Sequence, residues 1–291
     1  MKIAIYGLSD DNISKKIFLE LLSIAKKHDV ELVIEKEFNS IISDKNSSNK
    51  IFVNHKDLDR TYDLMITIGG DGTLLRSITY VRDLGIPIMG INTGRLGFLA
   101  TLKQEMLHSE LNKILFGEYD IKERSLLEVS ANNKTNFSDF NYALNEVSVG
   151  RKNTTSMIEI KTVLDSEYLN TYWADGLIIS TPTGSTGYSL SCGGPIMSPS
   201  SQTFSITPIA PHNLNARPLI ISDETIIELS VKGREESHLL SLDSKIISLE
   251  NNTVIKIKKA SFKIKLASLQ NNSFYKTLRN KLLWGEDKRN A

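Results

Sequence analysis

Hydrophobic and polar positions follow two alternating periods in the first part of the chain. The strings KIAIYGL, VELVIEK, YDLMITIGG and IPIMGINTG are apolar runs typical of strands, whereas ISKKIFLELLSIAKKH and TLLRSITYVRDLG carry apolar residues at helical spacing. A further helical pattern, KQEMLHSELNKILFG, ends in Gly117, a typical helix stop. Strands that alternate with helices favour a parallel sheet covered by helices, so residues 1–119 are predicted to form an α/β domain.

The pattern changes beyond Tyr119 to short strings rich in Ile, Val, Leu, Thr and Ser, among them RSLLEVSA, GLIISTP, FSITPIA and HLLSLDS. Residues 120–268 are therefore predicted to form a β-rich domain. Lysine alternates with apolar residues in VIKIKKASFKIKLASL, which favours a strand with one side in water over an anion-binding face. The tail, residues 269–291, contains the helical pattern SFYKTLRNKLLWG and is predicted to pack back on the first domain.

Composition and charge limit the classes of binding partner that are expected. The 291 residues are 40% hydrophobic and 24% charged, enough to bury a sizeable core. Lys plus Arg number 35 against 34 Asp plus Glu, so no basic excess indicates nucleic acid binding. The single cysteine, Cys192, cannot form an intrachain disulfide, and the five histidines show no metal-ligand spacing. No apolar run reaches the length of a membrane span, and we expect a cytoplasmic protein without a membrane partner.

A glycine loop, GGDGT at residues 69–73, lies between a predicted strand and a predicted helix. Backbone N–H groups and a helix N-terminus in such a loop can bind phosphate. The loop lacks the Lys and Ser/Thr of a Walker A motif and the full dinucleotide fingerprint. An aspartate beside a phosphate suggests phosphoryl transfer, in which Asp71 takes a proton from a hydroxyl or holds a cation. The alternative is a tight turn in which Asp71 caps a helix that begins near Thr73.

A second segment, YWADGLIISTPTGSTGYSLSCGGPIMSP at residues 172–199, concentrates Gly, Ser and Thr after an apolar strand. Glycines and small hydroxyl residues make a surface on which a planar, polar ligand can lie close to the backbone. The alternative is an irregular loop between strands. None of the serines lies in a G-x-S-x-G elbow, which excludes the serine hydrolase interpretation.

Taken together, GGDGT, the pair Asn145 and Glu146, and DGLIISTPTGSTGYSLSCGGP at residues 175–195 resemble the NAD kinase family. PIAPHNLNARPL and the closing LRNKLLWG are similar to that family as well. The resemblance implies a Rossmann-like parallel-sheet domain followed by a β-rich domain. It also implies ATP-dependent phosphorylation of the adenosine ribose 2′-hydroxyl of NAD, giving NADP, with a divalent cation, usually Mg²⁺.

The resemblance assigns roles to individual residues. Asp71 is the implied general base, with Gly72 in the loop and Arg76 as a phosphate partner. Asn145 and Glu146 would meet the adenosine part, whereas Asp175, contributed by a neighbouring subunit, and Ala210 would meet the nicotinamide end. Homodimers or homotetramers are implied. The adenine pocket would consist of Thr186, Gly187, Tyr188, Ser189, Leu190 and Ser191.

Three positions depart from the family pattern. Gly187 replaces a common Ala, Lys245 replaces a frequent Gln near the nicotinamide side, and the bulky Trp173 occupies a position associated with phosphoryl-donor choice. ATP and polyphosphate both remain candidate donors, and NADH remains a candidate acceptor. Two alternative functions are a lipid or sphingoid-base kinase that shares the loop, and a dinucleotide-binding regulator without activity. The presence of Asp71 counts against the regulator.

Overall fold

A computed structural model describes residues 1–43, 48–94, 97–132, 137, 139–153, 156–269 and 273–284. The chain divides into two compact units, Met1–Glu123 with Ile264–Ala291, and Arg124–Lys263. The division at residues 119 and 268 stays a prediction. Among the described residues, no helix has the length and apolar character needed to cross a membrane.

The first unit alternates strands and helices as the hydrophobic periods predict. Its elements, in chain order, are β1 (Lys2–Gly7), α1 (Asn12–Lys27), β2 (Glu31–Glu35), α2 (Lys36–Ile42), β3 (Lys50–Phe52), β4 (Leu64–Ile68), α3 (Asp71–Val81), β5 (Ile88–Asn92), β6 (Leu102–Lys103) and α4 (Gln104–Leu115). A short 3₁₀ helix, His55–Asp57, precedes β4. The helix α2 and the strand β3 were not predicted.

The second unit is rich in strands. Its elements are β7 (Asp120–Ala131), β8 (Tyr142–Ala143), β9 (Glu146–Gly150), β10 (Ile158–Leu164), β11 (Glu167–Ala174), β12 (Gly176–Ser180), α5 (Tyr188–Ser191), β13 (Thr203–Ile209), β14 (Leu219–Ser222), β15 (Ile227–Lys232), β16 (Ser237–Leu242), β17 (Lys245–Glu250) and β18 (Val254–Ser268). The strand β7 begins, and β18 ends, in the first unit. The chain closes with α6 (Phe274–Leu282), in the first unit.

The sheet of the first unit is parallel. Its order is β5-β4-β1-β2-β3, and the end of β18 adds to β5 through Leu266 opposite Ile88. The neighbours in this order pair in parallel, and β4 is buried along its whole length. Helix α1 contributes Ile17, Phe18 and Leu21 to the core beneath the sheet. The predicted α/β class with a parallel sheet is therefore confirmed.

Two sheets form the second unit. One contains β11-β10-β15-β18, with β7 and β8 alongside, and the other has the order β14-β13-β12-β9-β16-β17. The pairs β10–β11, β12–β13, β9–β12 and β16–β17 are antiparallel. A single hydrophobic core takes residues from both sheets, including Ile160, Ile179 and Phe204. The β-rich second domain is confirmed, and β18 has the alternating burial of a strand with one side in water.

Candidate active site

The glycine loop is a tight connection from β4 to α3 in the first unit. Gly69 has a φ of +151°, and a Cβ on this residue would lie 2.8 Å from the Cβ of Thr73. Both the backbone conformation and the lack of space therefore favour glycine at this position. Gly70 is the N-cap of α3, and the helix begins at Asp71, two residues before the predicted start.

Asp71 does not cap this helix, because Gly70 occupies the N-cap position and no side chain makes a capping hydrogen bond. Its carboxylate instead accepts hydrogen bonds from three consecutive backbone N–H groups that follow β5. Oδ2 accepts from Phe98 at 2.8 Å, and Oδ1 accepts from Leu99 at 3.1 Å and from Ala100 at 2.9 Å. The interpretation of Asp71 as a helix cap was therefore wrong. Each carboxylate oxygen can accept about two hydrogen bonds, and Phe98 is the donor to Oδ2 among the described residues, which leaves one acceptor position for a ligand.

Parallel pairing explains why these distant residues meet. The strands β4 and β5 are parallel neighbours, so the turn after each lies at the same edge of the sheet. Gly97 lies directly before the three donors, and a Cβ there would lie 2.5 Å from Asp71 Cγ and 2.7 Å from Oδ2. Gly97 was not predicted from the sequence. Its signal was NTGRLGFLA, a second glycine-containing segment that follows a strand at this edge.

Two further residues of the loop segment face solvent. Gly72 is exposed and has no heavy atom within 4 Å of an added Cβ, and Arg76 is exposed on α3. Gly72 thus leaves open space at the first turn of the helix. Such a turn, with its free backbone N–H groups, suits an anionic ligand.

In the second unit, Asn145 and Glu146 lie at the start of β9. Asn145 Oδ1 and Glu146 Oε2 are buried oxygens without a hydrogen-bond partner among the described residues. Buried acceptors without partners are rare in folded proteins, and one at a functional site points to a missing donor. The two side chains therefore present acceptor atoms suited to a ligand with N–H or O–H groups.

The protonation state of Glu146 is unusual. Burial, and secondarily the charge of Asp243, raise the pKa of Glu146 to about 8, against a hydrogen bond from the Tyr188 backbone that lowers it. At pH 7 the Glu146 side chain is consequently a neutral carboxyl. It can donate its O–H and accept at its other oxygen, whereas a carboxylate could only accept.

The segment after β12 packs against this pair. The backbone N–H of Thr181 donates to the carbonyl oxygen of Asn145 at 2.9 Å, and the Thr181 hydroxyl donates to the carbonyl of Leu144 at 2.5 Å. A Cβ on Gly184 would lie 2.6 Å from the Cα of Asn145, and one on Gly187 would lie 3.2 Å from Glu146 Oε2. The structure thus brings the predicted pocket segment beside Asn145 and Glu146, and it needs glycine at residue 184.

The six residues predicted to form the adenine pocket differ in their environment. Tyr188 is 46% exposed and presents its ring to solvent, and Ser191 is exposed as well. Ser189 is buried, and its hydroxyl lies 3.0 Å from that of Thr207, inside the protein. Thr186, Gly187 and Leu190 are partly buried. Tyr188 is accordingly the member of the segment best placed to offer a flat face to a ligand.

Asp175 and Ala210 form a separate pair of positions. The N–H of Asp175 donates to the Ile209 carbonyl at 3.0 Å, which places Ala210 next to Asp175. Asp175 also forms an ion pair with Arg151 at 3.0 Å. Ala210 is exposed and has a φ of +43°, a conformation that non-glycine residues seldom adopt. Such strain occurs at functional sites as well as in tight turns.

The β16–β17 hairpin contains Asp243, in its turn, and Lys245, the first residue of β17. Asp243 accepts hydrogen bonds from the backbone N–H groups of Leu144, Asn145 and Glu146, and it was not predicted from the sequence. Lys245 is partly buried, and burial lowers its pKa while the charge of Asp139 opposes that shift. Lys245 follows Asp243 by two residues, so the same hairpin supplies both side chains.

We predict that Glu146→Gln makes the protein more stable, increasingly so as the pH rises from 5 to 8. The unfolded chain loses the Glu146 proton near the ordinary pKa of 4.5, whereas the pKa in the folded chain is about 8. The folded state therefore binds more protons in this window, and its stability falls as the pH rises. Glutamine removes that cost, and we expect a gain on the order of 1–3 kcal/mol at pH 8.

Urea unfolding of both proteins at pH 5, 6, 7 and 8 measures this effect. The exposed Glu250 on β17 provides the control, since Glu250→Gln should leave the dependence of stability on pH unchanged. Parallel pH curves for Glu146→Gln and the unmodified protein would contradict the prediction.

Comparison with known proteins agrees with both halves of the structure. A family model described as the ATP-NAD kinase N-terminal domain matches residues 9–119, and one described as the ATP-NAD kinase C-terminal domain matches residues 144–269. An NAD kinase of Flavobacterium psychrophilum is 53% identical over 294 residues, covering 100% of each chain. An NAD kinase of Bacteroides fragilis is 40% identical, covering 99% of this chain and 100% of the relative.

Solved structures share the fold. A yeast NADH kinase in complex with NADH superposes with a TM-score of 0.86 at 23% identity, covering 99% of this chain and 89% of that one. An NAD kinase from Archaeoglobus fulgidus in complex with ATP gives a TM-score of 0.75 at 25% identity, covering 97% of this chain and 99% of that one. With two matching family models and relatives of high identity over the full chain, this chain belongs to the NAD kinase family.

Proposed function

We propose that this NAD kinase transfers the terminal phosphoryl group of ATP to the 2′-hydroxyl of the adenosine ribose of NAD, with Asp71 as the general base. The observation that supports this proposal most directly is the position of the Asp71 carboxylate at the glycine loop. Three backbone N–H groups hold it there, and Phe98 is the one donor to Oδ2 among the described residues, which leaves an acceptor position for the substrate. The 2′-hydroxyl proton passes to Oδ2, the oxygen bonds to the γ-phosphorus, and the bond from that phosphorus to the bridging oxygen breaks. The products are NADP and ADP.

The start of α3 supports phosphate binding in this proposal. The N–H of Thr73 donates to the Gly70 carbonyl at 3.0 Å, so the N–H groups of Asp71 and Gly72 are the ones that precede the first hydrogen bond of the helix. The helix dipole favours an anion there. Gly72 leaves that turn open, and the exposed Arg76 supplies a positive charge about one turn further along α3. Both groups would stabilise the charge that builds up on the transferred phosphoryl group.

The adenosine part of NAD would bind to Asn145, Glu146 and the segment 186–191. The unpartnered oxygens of Asn145 and Glu146 suit the N–H donors of adenine and the O–H groups of ribose. The exposed ring of Tyr188 can stack on the base. The buried Ser189 would hold the segment in place and not contact the ligand, because its hydroxyl already contacts that of Thr207.

For the nicotinamide end, the proposal uses Asp175, Ala210 and Lys245. Arg151 holds the Asp175 carboxylate at 3.0 Å, which fixes its direction. Asp175 would act on the ligand of a neighbouring subunit, so the proposed assembly is a homodimer or homotetramer. We propose the cytoplasm as the location, because a chain with a single cysteine cannot form an intrachain disulfide of the kind common in secreted proteins.

A divalent cation, most simply Mg²⁺, fits this site as a companion of ATP. Magnesium in such enzymes is held by one or two carboxylates together with substrate phosphates and water. Among the described residues no group of three His, Cys, Asp or Glu could hold a metal on its own, so the phosphates of ATP would supply most ligands. When bound, the cation would neutralise charge on the phosphates, while Asp71 Oδ2 stays available to accept the proton of the 2′-hydroxyl.

The alternatives lose support. The relatives that cover the whole chain are NAD kinases, which disfavours a lipid or sphingoid-base kinase. A dinucleotide-binding regulator without activity would have no use for a carboxylate held at the glycine loop.

The test measures NADP formed by purified protein from NAD and Mg²⁺, with ATP or polyphosphate in parallel, through an NADP-specific coupled dehydrogenase. We expect product with ATP. If polyphosphate also acts as a phosphoryl donor, Trp173, 51% exposed on β11, is the residue to substitute. The same assay with NADH in place of NAD tests whether NADH is a phosphoryl acceptor. Absence of product with every donor, from protein shown to be folded, would overturn the proposal.

A further inference from the structure

We propose that Asp243 is a positioning residue for NAD, whose carboxylate fixes the backbone of Asn145 and Glu146 so that both side chains face the ligand. Nothing about the sequence motifs singles out this aspartate, which lies about a hundred residues further along the chain. The inference rests on the proposed function, because it assumes that Asn145 and Glu146 bind the adenosine part of NAD.

The hydrogen bonds of Asp243 reach three consecutive residues. Oδ2 accepts from the N–H of Leu144 at 2.8 Å, and Oδ1 accepts from those of Asn145 and Glu146 at 2.9 and 3.0 Å. In return, the N–H of Asp243 donates to the carbonyl oxygen of Glu146 at 3.0 Å. Hydrogen bonds to a charged carboxylate are about twice as strong as neutral ones, so this contact fixes the segment firmly.

The turn that carries Asp243 is itself well defined. Leu242 pairs with Lys245 across the β16–β17 hairpin and with Val147 on β9. Asp243 has a φ of +49°, which Asp and Asn tolerate better than other side chains with a Cβ. The Ser241 hydroxyl donates to the Asp243 carbonyl at 3.0 Å. The hairpin therefore holds the carboxylate beside the start of β9.

A second contact holds the same segment from its other side. The carbonyl oxygen of Asn145 accepts from the N–H of Thr181 at 2.9 Å, and Gly184 lies too close to Asn145 to admit a side chain. Asp243 thus fixes the N–H groups while Thr181 fixes a carbonyl. With both held, the peptide planes around Asn145 cannot rotate, and the directions of the two side chains are set before the ligand arrives.

The charge of Asp243 also affects the neighbouring acid. Burial is the main cause of the raised pKa of Glu146, the Asp243 charge adds to it, and a hydrogen bond from the Tyr188 backbone opposes it. The pKa of the Tyr188 hydroxyl is in turn raised by burial and by the charges of Cys192, Asp175 and Glu146, so these groups share one electrostatic environment. Removal of the Asp243 charge should therefore lower the pKa of Glu146.

Asp243→Asn is the sharpest test, because asparagine keeps the shape and tolerates the positive φ. Its amide nitrogen must face at least one backbone N–H, so one charge-assisted hydrogen bond is lost and the others weaken. We expect KM for NAD to rise about tenfold or more, while kcat and KM for ATP change less than about threefold. The pH at which KM for NAD changes should move to a lower value.

Asp165 provides a matched control. It lies in the β10–β11 hairpin, has a φ of +47°, and accepts a backbone N–H from Ile226 at 2.9 Å. Asp165→Asn should leave KM for NAD unchanged. An unchanged KM for NAD in Asp243→Asn, or equal increases in KM for NAD and for ATP, would overturn the inference.

Two further variants separate this inference from the proposed function. If Asn145→Ala and Glu146→Ala leave KM for NAD unchanged, the proposed adenosine site is wrong, whatever Asp243 does. If they raise KM for NAD and Asp243→Asn does not, only the positioning role is overturned.

A measurement on the unmodified protein covers the case in which Asp243→Asn does not fold. Burial raises the pKa of Asp243 to about 6, against the three backbone hydrogen bonds, which lower it. The amide proton resonances of Leu144, Asn145 and Glu146 should therefore shift together as the pH falls through about 6, since all three donate to this group. Shifts that occur at a different pH for each of the three residues would overturn the positioning role.

Discussion

Asp71→Asn is expected to lower kcat by about two to four orders of magnitude while NAD binding is retained, the usual contribution of a general base. Asparagine cannot accept the proton that leaves the 2′-hydroxyl of NAD. It still has one oxygen, which can keep the hydrogen bonds from Leu99 and Ala100 that Oδ1 accepts now. The third donor, Phe98, would face the amide nitrogen in place of Oδ2. The fold should therefore suffer much less than the chemistry.

The measurement is kcat for NADP formation, with the affinity for NAD from calorimetry and the midpoint of thermal unfolding beside it. Asp57→Asn is the matched control, because Asp57 is another carboxylate of the first unit that accepts backbone N–H groups, from Val53 and Asn54. Its replacement should affect stability alone. A kcat within tenfold of normal for Asp71→Asn would remove Asp71 from the role of base.

The regular elements of the fold were predictable because their signals are local. A buried strand such as β4 appears as an unbroken apolar run, and α1 appears as an apolar stripe at helical spacing. The short helix α2 and the edge strand β3 were missed. They have 7 and 3 residues, too few for a period to emerge. Helix α3 begins at Asp71, and its N-cap is Gly70, a glycine that cannot make the side-chain hydrogen bond by which a helix start is usually recognised in a sequence.

The candidate site was predictable only where residue types carry the signal. Asp71, Asn145 and Glu146 lie in motifs that can be read along the chain, whereas their partners lie far away in sequence. Asp71 is bonded by residues 27 to 29 positions later, and Asp243 reaches back 97 to 99 positions. In both cases the donors are backbone N–H groups, which every residue except proline carries. No residue type therefore marks these contacts.

One structural device thus occurs in each unit: a carboxylate accepts three consecutive backbone N–H groups from a distant segment. In the first unit the carboxylate is the proposed base, and the segment 98–100 fixes its position. In the second unit the roles are reversed, because the carboxylate of Asp243 fixes a segment whose side chains meet the ligand. Both arrangements orient functional groups through rigid backbone, which keeps the reorganisation needed during catalysis small.

The contact between Gly97 and Asp71 leads to the second large effect. Gly97→Ala is expected to lower kcat by about a hundredfold and to destabilise the protein by about 1–3 kcal/mol. The added Cβ would lie 2.5 Å from Asp71 Cγ, so the carboxylate or the segment after Gly97 must move. The added methyl group would meet the Asp71 carboxylate directly, and this clash accounts for the penalty.

Gly94→Ala is the control within the same connection, because an added Cβ there meets no heavy atom within 4 Å. A double-mutant cycle with Asp71→Ala identifies the cause. If Gly97 is needed to make room for the Asp71 carboxylate, Gly97→Ala should cost little stability once that carboxylate is gone, because the three nearest atoms to its Cβ all belong to Asp71. Equal costs in both backgrounds, measured by urea unfolding, would show that Gly97 acts independently of Asp71. A strong coupling would identify Gly97 as the residue that lets three backbone N–H groups come close enough to hold the proposed base.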